Sequence, residues 1–84
     1  MELKKEYPYN EAIYDFLVFL KRVVDEQKCL DEFTEILEDA NKRQTFPMRG
    51  LHEKLMSYRK EHSDYKIFTM QEKEMIENLM HFWG

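Results

Sequence analysis

Three histidines and a single cysteine are the residues of this 84-residue chain best suited to bind a transition metal. They are His52, His62, His81 and Cys29. No two of them are three or four positions apart, the spacing that places two ligands on one turn of a helix. The sequence therefore predicts no metal site, and we expect no cofactor.

The run His62-Ser63-Asp64 combines a base, a hydroxyl and a carboxylate, as hydrolytic sites do. Adjacent residues cannot easily aim their side chains at one another as a catalytic triad requires, and no glycine-rich nucleophile turn accompanies them. A glycine-rich phosphate loop is missing from the sequence as well. We therefore expect a protein without catalytic residues, which is not an enzyme.

A basic segment follows an acidic one in this chain, whose formal net charge is −4. Residues 1–40 hold five basic against eleven acidic side chains, whereas residues 41–66 hold seven against three. The basic side chains that could neutralise nucleic-acid phosphates are Lys42, Arg43, Arg49, Lys54, Arg59 and Lys60. The alternative interpretation is an ordinary solvated surface.

Five carboxylates share one face of the second predicted helix. They are Asp31, Glu32, Glu35, Glu38 and Asp39. Such a face could dock a basic partner or mimic a nucleic-acid backbone, and the alternative is a surface that serves solubility alone.

Tyr14 and Val18 lie one turn apart and off the apolar stripe of the first predicted helix. Together with Phe19 at the edge of that stripe and Tyr7 and Tyr9 before the helix, they could form an exposed apolar patch. Such a patch would bind another protein or a second copy of the chain. The alternative is that the N-terminal arm or the last helix covers them.

Apolar residues at helical spacing predict four helices, over residues 11–25, 30–43, 49–62 and 70–83. Because the chain has only two glycines and two prolines, there is little room for hairpins. We predict a single all-α domain, a compact four-helix globular bundle with an N-terminal arm over residues 1–9. The central residue of each stripe should be buried: Leu20, Phe33, Leu37, Leu55, Ile76 and Leu79.

Local signals add detail to these helices. Thr69 and Glu72 fit a capping box at the start of the last helix, and Asn10 is a candidate N-cap of the first. Pro47 interrupts the helical pattern, and Phe46 before it is expected to fill the core from a loop.

From Leu30 to its C-terminus the chain resembles the YozE family, small bacterial proteins with a sterile-alpha-motif-like (SAM-like) helical fold. The resemblance rests on Asp31-Glu32-Phe33, Thr45-Phe46-Pro47, Ser57-Tyr58 and Asp64-Tyr65. The chain differs from the family at Met75-Ile76, where members usually carry a tryptophan. The resemblance implies a SAM-like fold and a small interaction or nucleic-acid-associated module, without a catalytic residue to carry over.

The lone Cys29 cannot form an internal disulfide, and the polar N-terminal sequence leads into no long apolar run. We therefore expect a cytoplasmic protein without a membrane span. Its expected function is to bind another protein as an adaptor or regulator, of the kind that a mobile element could encode. The sequence does not identify the partner, and a second copy of the chain, which would form a homodimer, is one candidate. The alternative function is nucleic-acid binding through residues 42–66, which gains support if the basic side chains converge on one face.

Overall fold

The computed structural model describes residues 4–62 and 66–84 and folds them into four helices. These are α1 (Tyr9–Val23), α2 (Gln27–Arg43), α3 (Met48–Glu61) and α4 (Met70–Trp83). No strand occurs in these two ranges. The radius of gyration is 12.4 Å, close to the roughly 12 Å of a globular domain of this length. The predicted all-α four-helix bundle is therefore confirmed.

The core is built from one apolar stripe on each helix. α1 packs against both α2 and α4, and α3 packs against α4. Five of the six predicted core residues are buried, namely Leu20, Phe33, Leu37, Leu55 and Leu79. The sixth, Ile76, is only partly buried and packs at the edge of the core. Phe46 enters the core from the α2–α3 loop, as predicted, and its ring centroid lies 5.7 Å from that of Phe16.

The start of α4 has the predicted capping box. The Glu72 backbone N–H donates to the Thr69 hydroxyl at 3.1 Å, and the Thr69 backbone N–H donates to the Glu72 carboxylate at 2.8 Å. Both partners satisfy amides that the first helical turn would otherwise leave free.

The predicted N-cap of α1 is wrong, because α1 begins at Tyr9 with Pro8 in the N-cap position. Tertiary contacts of Tyr9 explain this earlier start. Its ring packs edge-on against Phe46 and Trp83, and its hydroxyl donates to the Thr45 carbonyl at 2.8 Å. Starting the helix at Tyr9 places this ring against the core, and Asn10 becomes an exposed residue of the first turn.

Residues 4–8 of the N-terminal arm contact α1 and α4 through hydrogen bonds. Tyr7 is buried, and its hydroxyl donates to the Asp15 carboxylate at 2.7 Å. The Trp83 indole donates to the Tyr7 carbonyl at 3.1 Å, and the Lys4 backbone N–H donates to the buried Asn78 side chain at 2.7 Å. Burial, together with the hydrogen bond to Asp15, raises the pKa of the Tyr7 hydroxyl.

Candidate functional site

Tyr14 and Val18 are exposed by 67% and 51%, so neither the described part of the arm nor α4 covers them. They form the α1 side of a groove of about 410 Å³ between α1 and α4, whose other side includes Gln71 and Met75. We call this the α1–α4 groove. Its surface is largely apolar.

The rest of the predicted apolar patch is buried or half-buried. Phe19 is only 3% exposed, because its ring packs edge-on against Phe68 with a centroid distance of 5.0 Å. Tyr7 packs against Phe82, and Tyr9 is half-buried against Phe46. Phe19 therefore belongs to the base of the α1–α4 groove, and the two tyrosines support the arm and the core.

A charged pair closes one end of the groove. The Arg22 guanidinium donates two hydrogen bonds to the Glu72 carboxylate and a third, at 3.0 Å, to the Ile67 carbonyl. The hydrogen bond from Arg22 holds the pKa of Glu72 below its usual value. Since Glu72 also accepts from the Thr69 amide, this pair joins α1 to the first turn of α4.

Ile67 and Met70 are two further exposed apolar residues, at 78% and 64%, beside this end of α4. Sequence analysis did not single them out, and Phe68 between them is buried. Ile67 was outside every predicted helix, so helical periodicity gave no face on which to place it.

The acidic face of α2 is exposed along its length, but three of its five carboxylates have partners. Glu32 pairs with Lys54 at 2.9 Å, Asp39 pairs with Arg43 at 3.4 Å, and Asp31 accepts from Gln27 at 2.8 Å. Lys54 holds the pKa of Glu32 below its usual value. The other two members, Glu35 and Glu38, form no ion pair with a residue that the structure describes.

The basic side chains do not all converge on one face. Lys54 lies toward α2, over the Phe33 ring at 5.4 Å, and Arg59 lies toward the segment before α4, with its Cζ 4.4 Å from the centroid of Phe68. Positions 54 and 59 are about 140° apart around a helix, which explains why they take opposite flanks of α3. Lys42, Arg49 and Lys60 are exposed.

Glu26, Cys29 and His62 form a cluster that sequence analysis did not foresee. One ligand atom from each lies within 4.8 Å of the other two, and the distance from His62 Nε2 to Glu26 Oε2 is 3.4 Å. Glu26 precedes α2, Cys29 lies in its first turn, and His62 follows α3. The neighbours Ser63 and Asp64, considered above with His62, lie outside the described residues.

Of the helices that the structure describes, none has the length and apolar character needed to cross a membrane. Comparison with known proteins gave no match to a family model, to a curated protein or to a solved structure. The resemblance to the YozE family, and the SAM-like fold that it implies, therefore stay predictions.

Proposed function

We propose that this protein is a cytoplasmic, non-enzymatic module that binds another protein, as an adaptor or regulator, through the α1–α4 groove. The observation that carries the proposal is the exposure of Tyr14 and Val18, 67% and 51%, one turn apart on the rim of an apolar groove. Exposed apolar groups arranged around a groove, with polar groups at its edge, are typical of a protein contact.

The composition of the groove fits the energetics of such a contact. Tyr14 offers a large apolar ring with few rotatable bonds, and aromatic residues often contribute most of the binding energy at protein interfaces. Phe19 and Met75 supply an apolar base, while Asp15, Gln71 and the Arg22–Glu72 pair supply a polar rim. Burial of Tyr14 and Val18 by a partner would remove their apolar surface from water.

An amphipathic helix of the partner is the element that suits this groove best. Tyr14 and Val18 repeat at the spacing of one helical turn, and the groove itself runs between two helices. A partner helix that presents apolar side chains at positions i and i+4 can place them between the side chains that project from α1 and α4.

The test is the double variant Tyr14→Ser/Val18→Ser, with Glu35→Ser/Asp39→Ser as the matched control. Both pairs are exposed and one turn apart, so both variants should fold like the wild type, as checked by circular dichroism and thermal unfolding. A photo-cross-linking residue at Gln71 should capture a discrete protein in the native host. We expect the groove variant to lose this adduct and the α2 variant to keep it.

Two results would overturn the proposal. One is an adduct that forms equally well in the groove variant. The same conclusion would follow if a cross-linker placed at Glu38, on α2, captured the same protein equally well. The other is a failure of Tyr14→Ser/Val18→Ser to fold, which would make both side chains part of the core. An adduct of twice the mass of the chain identifies a second copy as the partner, and sedimentation equilibrium of the purified protein should then show a dimer that the same substitutions dissociate.

A further inference from the structure

We propose that Glu26, Cys29 and His62 form a binding site for a zinc ion. The three side chains come from two different parts of the chain, the start of α2 and the end of α3, and meet in one place. Thiolate, imidazole and carboxylate are the three kinds of protein ligand that Zn²⁺ takes. The site lies outside the α1–α4 groove, so it is independent of the proposed protein contact.

The distances are close to those that zinc requires. Zinc–ligand bonds of about 2.0–2.3 Å in a tetrahedron place neighbouring ligand atoms about 3.3–3.7 Å apart. His62 Nε2 and Glu26 Oε2 already meet this range at 3.4 Å. All three ligand atoms lie within 4.8 Å of one another, and rotation of the exposed Glu26 side chain can adjust the distances from its own carboxylate to the other two.

Tyr58 positions two of the three ligands. Its ring stacks on the imidazole of His62, with 4.0 Å between the ring centroids. Its hydroxyl accepts a hydrogen bond from the Asp25 backbone N–H at 3.1 Å, which fixes the link that carries Glu26. Tyr58 itself is buried, so the ends of the two helices are held together before an ion binds.

The charges around Cys29 favour a cation. The carboxylates of Glu26, Glu32 and Glu61 act on the thiol electrostatically, and the ammonium of Lys54 opposes them. The same negative potential attracts Zn²⁺ to the site.

Three protein ligands leave a fourth coordination position for water, as zinc sites with an open position do. The ion would link the start of α2 to the end of α3, in addition to the ion pair between Lys54 and Glu32. We therefore expect zinc to stabilise the folded chain, because the unfolded chain does not hold the three ligands together.

The experiment titrates Zn²⁺ into the full-length, chelator-treated protein in competition with a metal-binding dye. We expect one zinc ion per chain, and Cys29→Ser or His62→Ala should weaken binding by more than about tenfold. Glu26→Gln should weaken it less, because a neutral oxygen ligand remains. The matched controls are His52→Ala and His81→Ala, which remove the other histidines and should leave the affinity unchanged.

Two further readouts test whether Cys29 binds the metal. Co²⁺ in place of Zn²⁺ should give a thiolate-to-cobalt charge-transfer band that Cys29→Ser abolishes and His52→Ala retains. Zinc should also raise the melting temperature of the wild type and of both controls, but not that of Cys29→Ser. Circular dichroism of each metal-free variant confirms that it is folded.

Several outcomes would overturn the site. Equal losses of affinity in His62→Ala and in His52→Ala or His81→Ala would show zinc bound to scattered surface histidines. A half-equivalent of zinc with sedimentation as a dimer would show an ion bridging two chains. A cobalt complex without a thiolate band would remove Cys29 from the site and leave only the contact between His62 and Glu26.

Discussion

Glu72 is the residue that connects the capping of α4 to the packing of α1. Its carboxylate accepts hydrogen bonds from the Thr69 amide and from the Arg22 guanidinium. The pKa of Glu72 is lowered in the folded state, mainly by Arg22. A lowered folded pKa stabilises the protein at every pH above the unfolded pKa, about 4.3, and this contribution is lost as the pH falls through the folded pKa.

We therefore predict that Glu72→Gln lowers the melting temperature at pH 7 and has a smaller effect near pH 3. The glutamine retains the side-chain oxygen but removes the charge that Arg22 binds. Thermal unfolding followed by circular dichroism at both pH values is the measurement. Glu77→Gln, at an exposed position of the same helix, is the control and should behave like the wild type at both. An equal drop for Glu72→Gln at the two pH values would show that the charge pair does not stabilise the fold.

Residues whose partners are close in sequence could be predicted, and those whose partners are distant could not. The capping box joins Thr69 to Glu72 within one turn, so the spacing of these two residues was enough to predict it. The cluster of Cys29 and His62 depends on how the start of α2 meets the end of α3. No spacing rule for a single helix contains that information, because it arises from packing.

At the scale of the helices, apolar periodicity correctly predicted that the elements are helices and in which order they follow. The predicted first residues of the helices were less accurate. α2 begins at Gln27, three residues before the expected start. Apolar periodicity did not predict these residues, because Gln27 and Lys28 are exposed and add nothing to the apolar stripe. α1 begins early because Tyr9 has tertiary partners. Exposure of Tyr14 and Val18 is consistent with their predicted place off the stripe, whereas Phe19 is buried because Phe68 covers it from the segment before α4.

The register of α2 gives a prediction at this scale. Leu37 is 3% exposed at the centre of the buried face of α2. Leu37→Ala should therefore destabilise the domain by about 2–5 kcal/mol, the cost of lost apolar burial and of the cavity that remains. Its neighbour Glu38 is exposed, so Glu38→Ala should change stability by less than about 0.5 kcal/mol. Chemical denaturation of both variants measures the difference, and an unchanged midpoint for Leu37→Ala would contradict the observed register.

At the scale of the whole molecule, the distribution of charge bears on the choice between protein and nucleic acid as the partner. The chain has a formal net charge of −4, and the acidic side chains are concentrated before residue 41. Within the basic segment, Lys54 and Arg43 are each paired with a carboxylate of α2, and Arg59 stacks on Phe68. A nucleic-acid site would need these cations to face one phosphate backbone together.

We predict weak binding to duplex DNA, because the net charge repels phosphates and two of the basic side chains, Lys54 and Arg59, lie on different flanks of α3. Any binding that does occur through exposed Lys42, Arg49 and Lys60 should depend on the release of counterions and fall steeply between about 50 and 200 mM salt. Fluorescence anisotropy of a labelled duplex at both salt concentrations measures this, with a triple alanine variant at these positions as the comparison. Sub-micromolar binding that resists salt would favour a nucleic-acid partner over a protein one. Loss of that binding in the triple variant, with the α1–α4 groove intact, would then place the contact on α3 and the end of α2.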